Sequence, residues 1–145
     1  MQIAARTMRY LDSEHFANVL MLTGRILLGL PFPIFGTMKY LNHKNMSAYI
    51  ETGGLPGEII WLVIPFQIVC GVAVWIGFKT RWAAFFLGGF CIVAATIYHS
   101  NLADPGELAS FTKDYAAAGG FLFLWKFGPG RYSIDAWLAR GKADI

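Results

Sequence analysis

Apolar residues run through this chain in four long blocks separated by short polar stretches. From Val19 to Met38 Arg25 is the sole charge, and Ile59 to Phe78 and Trp82 to Tyr98 carry none. A fourth, more mixed block extends from Phe111 to Phe127, with Lys113, Asp114 and Lys126 near its ends. A hydrocarbon core of about 30 Å needs roughly 20 helical residues. The pattern therefore predicts an all-α, polytopic membrane protein: a single transmembrane domain over residues 1–145, with spans about 19–38, 59–78, 82–98 and 111–127 and a tail over 128–145.

The connections and breakers refine this picture. Pro31 and Pro33 each remove a helical hydrogen bond, freeing the carbonyls of Leu27 and Gly29. In lipid a freed carbonyl must find a neighbour or water, so the predicted kink in the first span faces protein or a cavity, and Pro65 acts likewise in the second. Between these spans, Met46, Tyr49 and Ile50 stand at helical spacing before the breaker run Gly53-Gly54-Leu55-Pro56-Gly57, which predicts a brief interfacial helix and then a turn. Asp104-Pro105-Gly106-Glu107 in the segment Ser100 to Thr112 reads as a turn. Arg6, Arg9, Asp12 and Glu14 alternate with Ile3, Met8 and Leu11, which suits an amphipathic stretch over Gln2–Phe16 lying on the membrane surface.

Charge then sets the orientation, because short loops rich in Lys and Arg stay cytoplasmic. Arg6, Arg9, Lys79, Arg81, Lys126, Arg131, Arg140 and Lys142 fall on one side, against Lys39, Lys44 and Lys113 on the other, so both termini are expected inside. No small-residue cleavage site follows the first apolar block, and that block is expected to stay in the membrane. Composition agrees: 145 residues, 56% hydrophobic, 14% charged, mean hydropathy +0.48, where soluble domains carry about 25% charge. The net charge of +3 belongs to the inner collar and is no clustered basic face, which sets nucleic acid aside as a partner. No paired Cys or His spacing for zinc and no phosphate loop occurs. Haem is poorly served, since only His43 and His99 share a side, and no metal site is expected. Cys70 and Cys91 lie in different spans at depths that differ by roughly 4–5 Å and read as free thiols.

Three segments carry a family resemblance: Gly24-Arg25-Ile26-Leu27-Leu28-Gly29, Phe35-Gly36-Thr37-Met38-Lys39, and the closing Gly128-Pro129-Gly130-Arg131-Tyr132-Ser133-Ile134-Asp135. Together they resemble the DoxX family over roughly Thr23 to Asp135. The resemblance implies a four-helix membrane bundle associated with quinone-linked redox chemistry, akin to the membrane subunit of thiosulfate:quinone oxidoreductase, in the cytoplasmic membrane of a bacterium or archaeon. Members often carry an acidic residue near the position of Gln67 and an Asn near Asp114.

Candidate chemistry lies at two places. Arg25 sits roughly 9 Å into the first helix, where a charge is a functional hypothesis by default. Its bland reading is a structural one: with Arg131 and Asp135 it fixes the tail against the bundle. At the outer end, topology gathers Lys39 and Tyr40, Glu58 and Trp61, Tyr98 and His99, and Asp114 and Tyr115 into one rim. As a site, the rim holds a quinone head on Lys39, Tyr40, Trp61, Tyr98 and Tyr115, with His99, Asp114 and Glu58 exchanging protons; as a plain feature, it is an aromatic belt with snorkelling charges.

No covalently bound cofactor is expected, and quinone is the one the resemblance implies. The chain carries no visible redox centre, so catalysis would need electrons from a partner or a diffusible reductant, and whether the chain is itself an enzyme stays open. Three functions compete: an oxidoreductase subunit acting on quinone, a non-catalytic accessory subunit that anchors a larger membrane assembly, and a small transporter or lipid-binding bundle. All three place the chain in the lipid bilayer, the first two beside other membrane subunits.

Overall fold

The structure, a computed structural model, describes residues 13–143. Arg6, Arg9 and most of the amphipathic stretch Gln2–Phe16 lie outside the described residues. Among those described, the chain is all-helical: α1 (Glu14–Gly29), α2 (Pro31–Leu41), α3 (His43–Thr52), a 3-10 turn (Gly57–Ile59) running into α4 (Ile60–Ile76), α5 (Thr80–Tyr98), α6 (Pro105–Phe127) and α7 (Ile134–Ala143).

Helix ends follow local chemistry. Ser13 caps α1 by accepting the Phe16 N–H at 3.3 Å. The first span breaks at Leu30, and Pro31 starts α2 at a position where its missing N–H is no loss. Near the break the Ile26 carbonyl accepts from the Leu30 N–H at 2.9 Å and from Trp75 Nε1 of α4 at 3.2 Å. The brief helix expected before the breaker run is present as α3. The segment read as a turn around Asp104 is instead a helix start, and α6 begins at Pro105 rather than near Phe111. Asp104 accepts the N–H groups of Gly106 at 2.7 Å and Glu107 at 3.0 Å with Pro105 in the first turn, a capping arrangement that outweighs the turn propensity of Asp-Pro-Gly.

Among the described residues, three helical stretches are long and apolar enough to cross a membrane: Glu14–Leu41, Gly57–Ile76 and Thr80–Tyr98. Large apolar side chains cover their outsides, such as Leu62, Val69 and Trp82. A soluble monomer does not expose apolar surface on this scale; hydrocarbon solvates it.

The interior is held by close approach of small residues. Helices α5 and α6 pack along each other through Ala83, Ala84, Gly88 and Ala118, around the fully buried Phe121 and Leu87. Helix α2 packs on α4 at Gly36 and Gly71: a methyl group added at Gly71 would come within 2.5 Å of Pro33 Cδ, and one at Gly36 within 2.7 Å of Ile68 Cγ1. By contrast Gly89 and Gly119 meet nothing within 4 Å. A second apolar cluster, Ile50, Ile60 and Ile64, seats α3 on the start of α4.

This difference predicts opposite outcomes for the same chemical change. Gly71→Ala should cost about 1–3 kcal/mol by overpacking, seen as a lower melting temperature of the purified protein in detergent. Gly89→Ala should be neutral or stabilise by up to about 1 kcal/mol, the ordinary helix preference for Ala. Equal melting temperatures for the two variants would refute the α2–α4 contact.

Candidate functional site: an apolar cavity opposite the tail

The two ends of the bundle use their polar groups differently. At the tail end Arg25 is buried, 3% exposed, on α1. Its Nη1 donates to the Pro129 carbonyl at 2.8 Å and its Nη2 to the Tyr132 carbonyl at 2.9 Å. The intervening turn needs glycine: Gly128 and Gly130 have φ of 79° and 78°, left-handed conformations that cost other residues strain. Asp135 interacts electrostatically with Arg25, but its hydrogen bonds go elsewhere. Its carboxylate accepts the Lys79 N–H at 2.7 Å and the Thr80 N–H at 2.9 Å, capping α5 and holding Lys79 at a φ of 45°. Arg131 joins through its backbone, its N–H donating to Asn18 Oδ1 at 2.8 Å. Its guanidinium lies 3.8 Å from Glu14 with both side chains exposed, a contact worth little.

At the opposite end the helices enclose a cavity of about 880 Å³. Leu27, Leu28, Leu30 and Pro31 line it, so the kink in the first span faces a cavity. The walls are overwhelmingly apolar, and a few polar groups converge on them. Lys39, from the last turn of α2, turns inward; its Nζ donates to Gln67 Oε1 at 2.8 Å and lies 6.0 Å from the Phe90 ring centroid, within cation–π range. Asp114 also lines the cavity and interacts electrostatically with Lys39. Helix α3 closes the end of the cavity, with Tyr49 stacked on Tyr98 at 5.0 Å and the Tyr98 hydroxyl donating to the Ile50 carbonyl at 3.1 Å. Burial, and then the Glu107 charge and Tyr98, push the Tyr49 phenol above its ordinary range, which keeps it protonated. His99 Nδ1 pairs with Glu107 Oε2 at 3.0 Å, tying the end of α5 to the start of α6.

Of the expected rim, then, Lys39, Tyr98, His99 and Asp114 meet at the cavity. The others stand outside it: Tyr40 and Trp61 pack edge to face at 6.5 Å on the exposed surface, Glu58 is exposed in the 3-10 turn, and Tyr115 lies with its hydroxyl 3.2 Å from Thr96 Oγ1. Gln67, Tyr49, Phe90, Lys113 and Glu107 join the site without having been singled out for it. Gln67 carried a signal, being the one amide in the charge-free block Ile59 to Phe78. Cys70 and Cys91 are free, and Cys91 lines the cavity. Among the described residues no cluster of three or more His, Cys, Asp or Glu side chains could hold a metal.

These features define a small helical membrane protein with an internal apolar cavity carrying a sparse polar lining. The chain belongs to the DoxX family, whose sequence profile matches residues 20–100. It is 38% identical over 118 residues to Inner membrane protein YqjF of Escherichia coli (strain K12), covering 81% of this chain and 91% of that protein. It is 29% identical over 136 residues to Inner membrane protein YphA of the same organism, covering 89% and 97%. No solved structure gives a significant match.

The tail contacts carry a direct test. Arg25→Met removes two charge-assisted hydrogen bonds, each worth about 1.5–3 kcal/mol, and Asp135→Ala uncaps α5 at about 0.5–2 kcal/mol. Both should free the tail, so that limited trypsin digestion at Arg131 becomes faster in the variants than in the wild type, most in Arg25→Met. Unchanged cleavage rates would mean the tail is held by something else.

Proposed function

We propose that the protein is a multi-pass inner-membrane subunit that binds a quinone in the cavity between its helices and takes part in quinone-linked redox chemistry. The observation that carries this reading is the Lys39–Gln67 hydrogen bond of 2.8 Å at the edge of a largely apolar cavity of about 880 Å³. Ligand pockets commonly run about 300–1,000 Å³, with apolar walls and a few placed polar groups. A quinone needs that combination: hydrogen-bond donors for its carbonyl oxygens and an apolar sleeve for its ring and tail.

In this reading Lys39 donates to one quinone carbonyl and Gln67 holds the ammonium in place, while Asp114 and His99 exchange protons with the head. Reduction to the quinol takes up two electrons and two protons. The electrons come from a partner protein or a diffusible reductant, and Glu107, paired with His99, links the site to the solvent-facing start of α6. Tyr40, Glu58, Trp61 and Tyr115 serve the membrane surface and not the ligand.

Four spans with both ends cytoplasmic complete the proposal, α6 being the fourth. Support comes from the packing of α6 along α5 and from the binding of the tail to the start of α1, which puts both ends of the described chain at one end of the bundle. The names of the two relatives support the inner membrane.

The test is to purify the protein gently from native membranes and assay the extracted lipids. The wild type should retain about one quinone per chain. Lys39→Met should lower quinone affinity roughly 10- to 100-fold, the equivalent of one charge-assisted hydrogen bond. Quinone present only at its bulk-membrane ratio, together with a fixed set of co-purifying proteins, would replace this reading with that of a non-catalytic accessory subunit. For topology, alkaline phosphatase fused at the C-terminus should be inactive and its insertion between α3 and α4 active; the reverse pattern would invert the proposed orientation.

A further inference from the structure

The cavity is partly covered by helix α3 and has its longest exposed edge along its side. Helix α3 forms the roof through Tyr49 and Ile50, held by Tyr98. The floor is formed where α1 and α2 meet α6: Phe32 and Phe121 rings pack edge to face at 5.3 Å, and Leu28 lies against Gly120. Between roof and floor, α2 packs on α4 and scarcely touches α6, because the break at Leu30 redirects the chain. Along this edge Leu27, Leu30, Ile34 and Phe35 follow helical spacing, border the cavity, and are 63%, 40%, 47% and 47% exposed. Ala117, Lys113 and Asp114 of α6 also border the cavity. Side chains that line a cavity and the outer surface at once mark the rim of an opening. Here the exposed rim belongs to a stretch apolar enough to lie in the membrane, so what it faces is hydrocarbon.

We infer that ligands reach this cavity from the hydrocarbon core, through a lateral mouth between α2 and α6, and that the ligand class is a membrane-dissolved amphiphile. Its polar head meets Lys39 and Gln67 while its hydrocarbon chain remains in the mouth between Ile34, Phe35 and α6. A water-soluble substrate is disfavoured by walls that offer it few polar partners. The inference rests on the cavity being a ligand site, but not on the head being a quinone.

The full chain, in membranes opened to both sides, supplies the test. In a Cys70→Ala/Cys91→Ala background one cysteine is placed in the cavity by Ala94→Cys and, separately, one in the exposed α5–α6 connection by Asn101→Cys. Each is labelled with uncharged N-phenylmaleimide and with a sulfonated thiosulfonate. Because a sulfonate gains no partner in an apolar cavity, the ratio of uncharged to charged labelling rate at Ala94→Cys should exceed that at Asn101→Cys by roughly tenfold or more. Adding Ala117→Phe at the mouth should slow the uncharged reagent at Ala94→Cys and leave Asn101→Cys unchanged.

Equal rate ratios at the two positions would overturn the inference, since the cavity would then open to water. Failure of both reagents to label the cavity would overturn it too, since no mouth would exist. If Ala94→Cys does not fold, Ile97→Cys, which also lines the cavity, carries the same measurement. The labelling needs no bound quinone, so absence of quinone in the purified protein would sink the proposed function and leave this result standing, and the converse holds equally.

Discussion

A guanidinium inside an apolar bundle needs oxygens for its N–H groups, and Arg25 finds two in the backbone of the tail, its buried Nε having no partner among the described residues. Lipid offers no hydrogen-bond partner, so the carbonyls of Pro129 and Tyr132 are held where the side chain of α1 requires them. The consequences spread outward. The tail must double back under the bundle, which demands left-handed turns at Gly128 and Gly130. That course delivers Asp135 to the start of α5, where its carboxylate satisfies two backbone N–H groups at the positive end of the helix. One buried cation thus ties α1, the α4–α5 connection and the tail into a single closed end, and Gly77 must lack a side chain because Arg25 and Ser133 occupy the space.

With that end closed, the freedom left in the first span is spent at the other. The break at Leu30 sends α2 along α4, at the glycine contacts Gly36 and Gly71, and away from α6. The cavity lies beside this break, lined by Leu27, Leu28, Leu30 and Pro31, and Trp75 Nε1 adds a second hydrogen bond to the Ile26 carbonyl there. Of the two prolines at the break, Pro31 stands in the cavity wall and Pro33 packs against Gly71 of α4.

How much of this the sequence disclosed depends on the range of the interaction. Three of the four apolar blocks, the breaks at Pro31 and Gly53-Gly54 and the helix α3 rest on local signals of period and punctuation, and they stand in the structure. Asp104-Pro105-Gly106-Glu107 has the composition of a turn and of a helix cap alike, and the Asp104 carboxylate, bonded to the Gly106 and Glu107 N–H groups, makes it a cap. The tail motif points to Arg25 and Asp135 as partners, and the structure joins them by charge and not by a hydrogen bond: Arg25 binds carbonyls, whose positions no side-chain pattern reveals. The rim was legible as a set of helix ends but not as directions. Lys39 and Tyr40 are neighbours in sequence and helical geometry sends them to different faces, one into the cavity and one to the surface.

The first span therefore carries two cations with opposite uses, and their chemistry fits the difference. Arg25 is a planar donor set, and two of its nitrogens are committed to fixed backbone oxygens in a pocket the tail seals. Lys39 is a compact charge on a flexible stem with three donors. Among the described residues it gives one to Gln67 and stands over Phe90, with Asp114 as the nearby opposite charge. Exchanging the two residue types would satisfy neither place: a lysine could not span both tail carbonyls with fixed geometry, and an arginine would fill the cavity mouth with a rigid fork. A cation locked by the protein is structural, whereas one with donors left over beside an apolar space is disposed to bind something that arrives. The asymmetry between the two ends of the span is the physical ground for proposing a ligand at Lys39 and a structural role for Arg25.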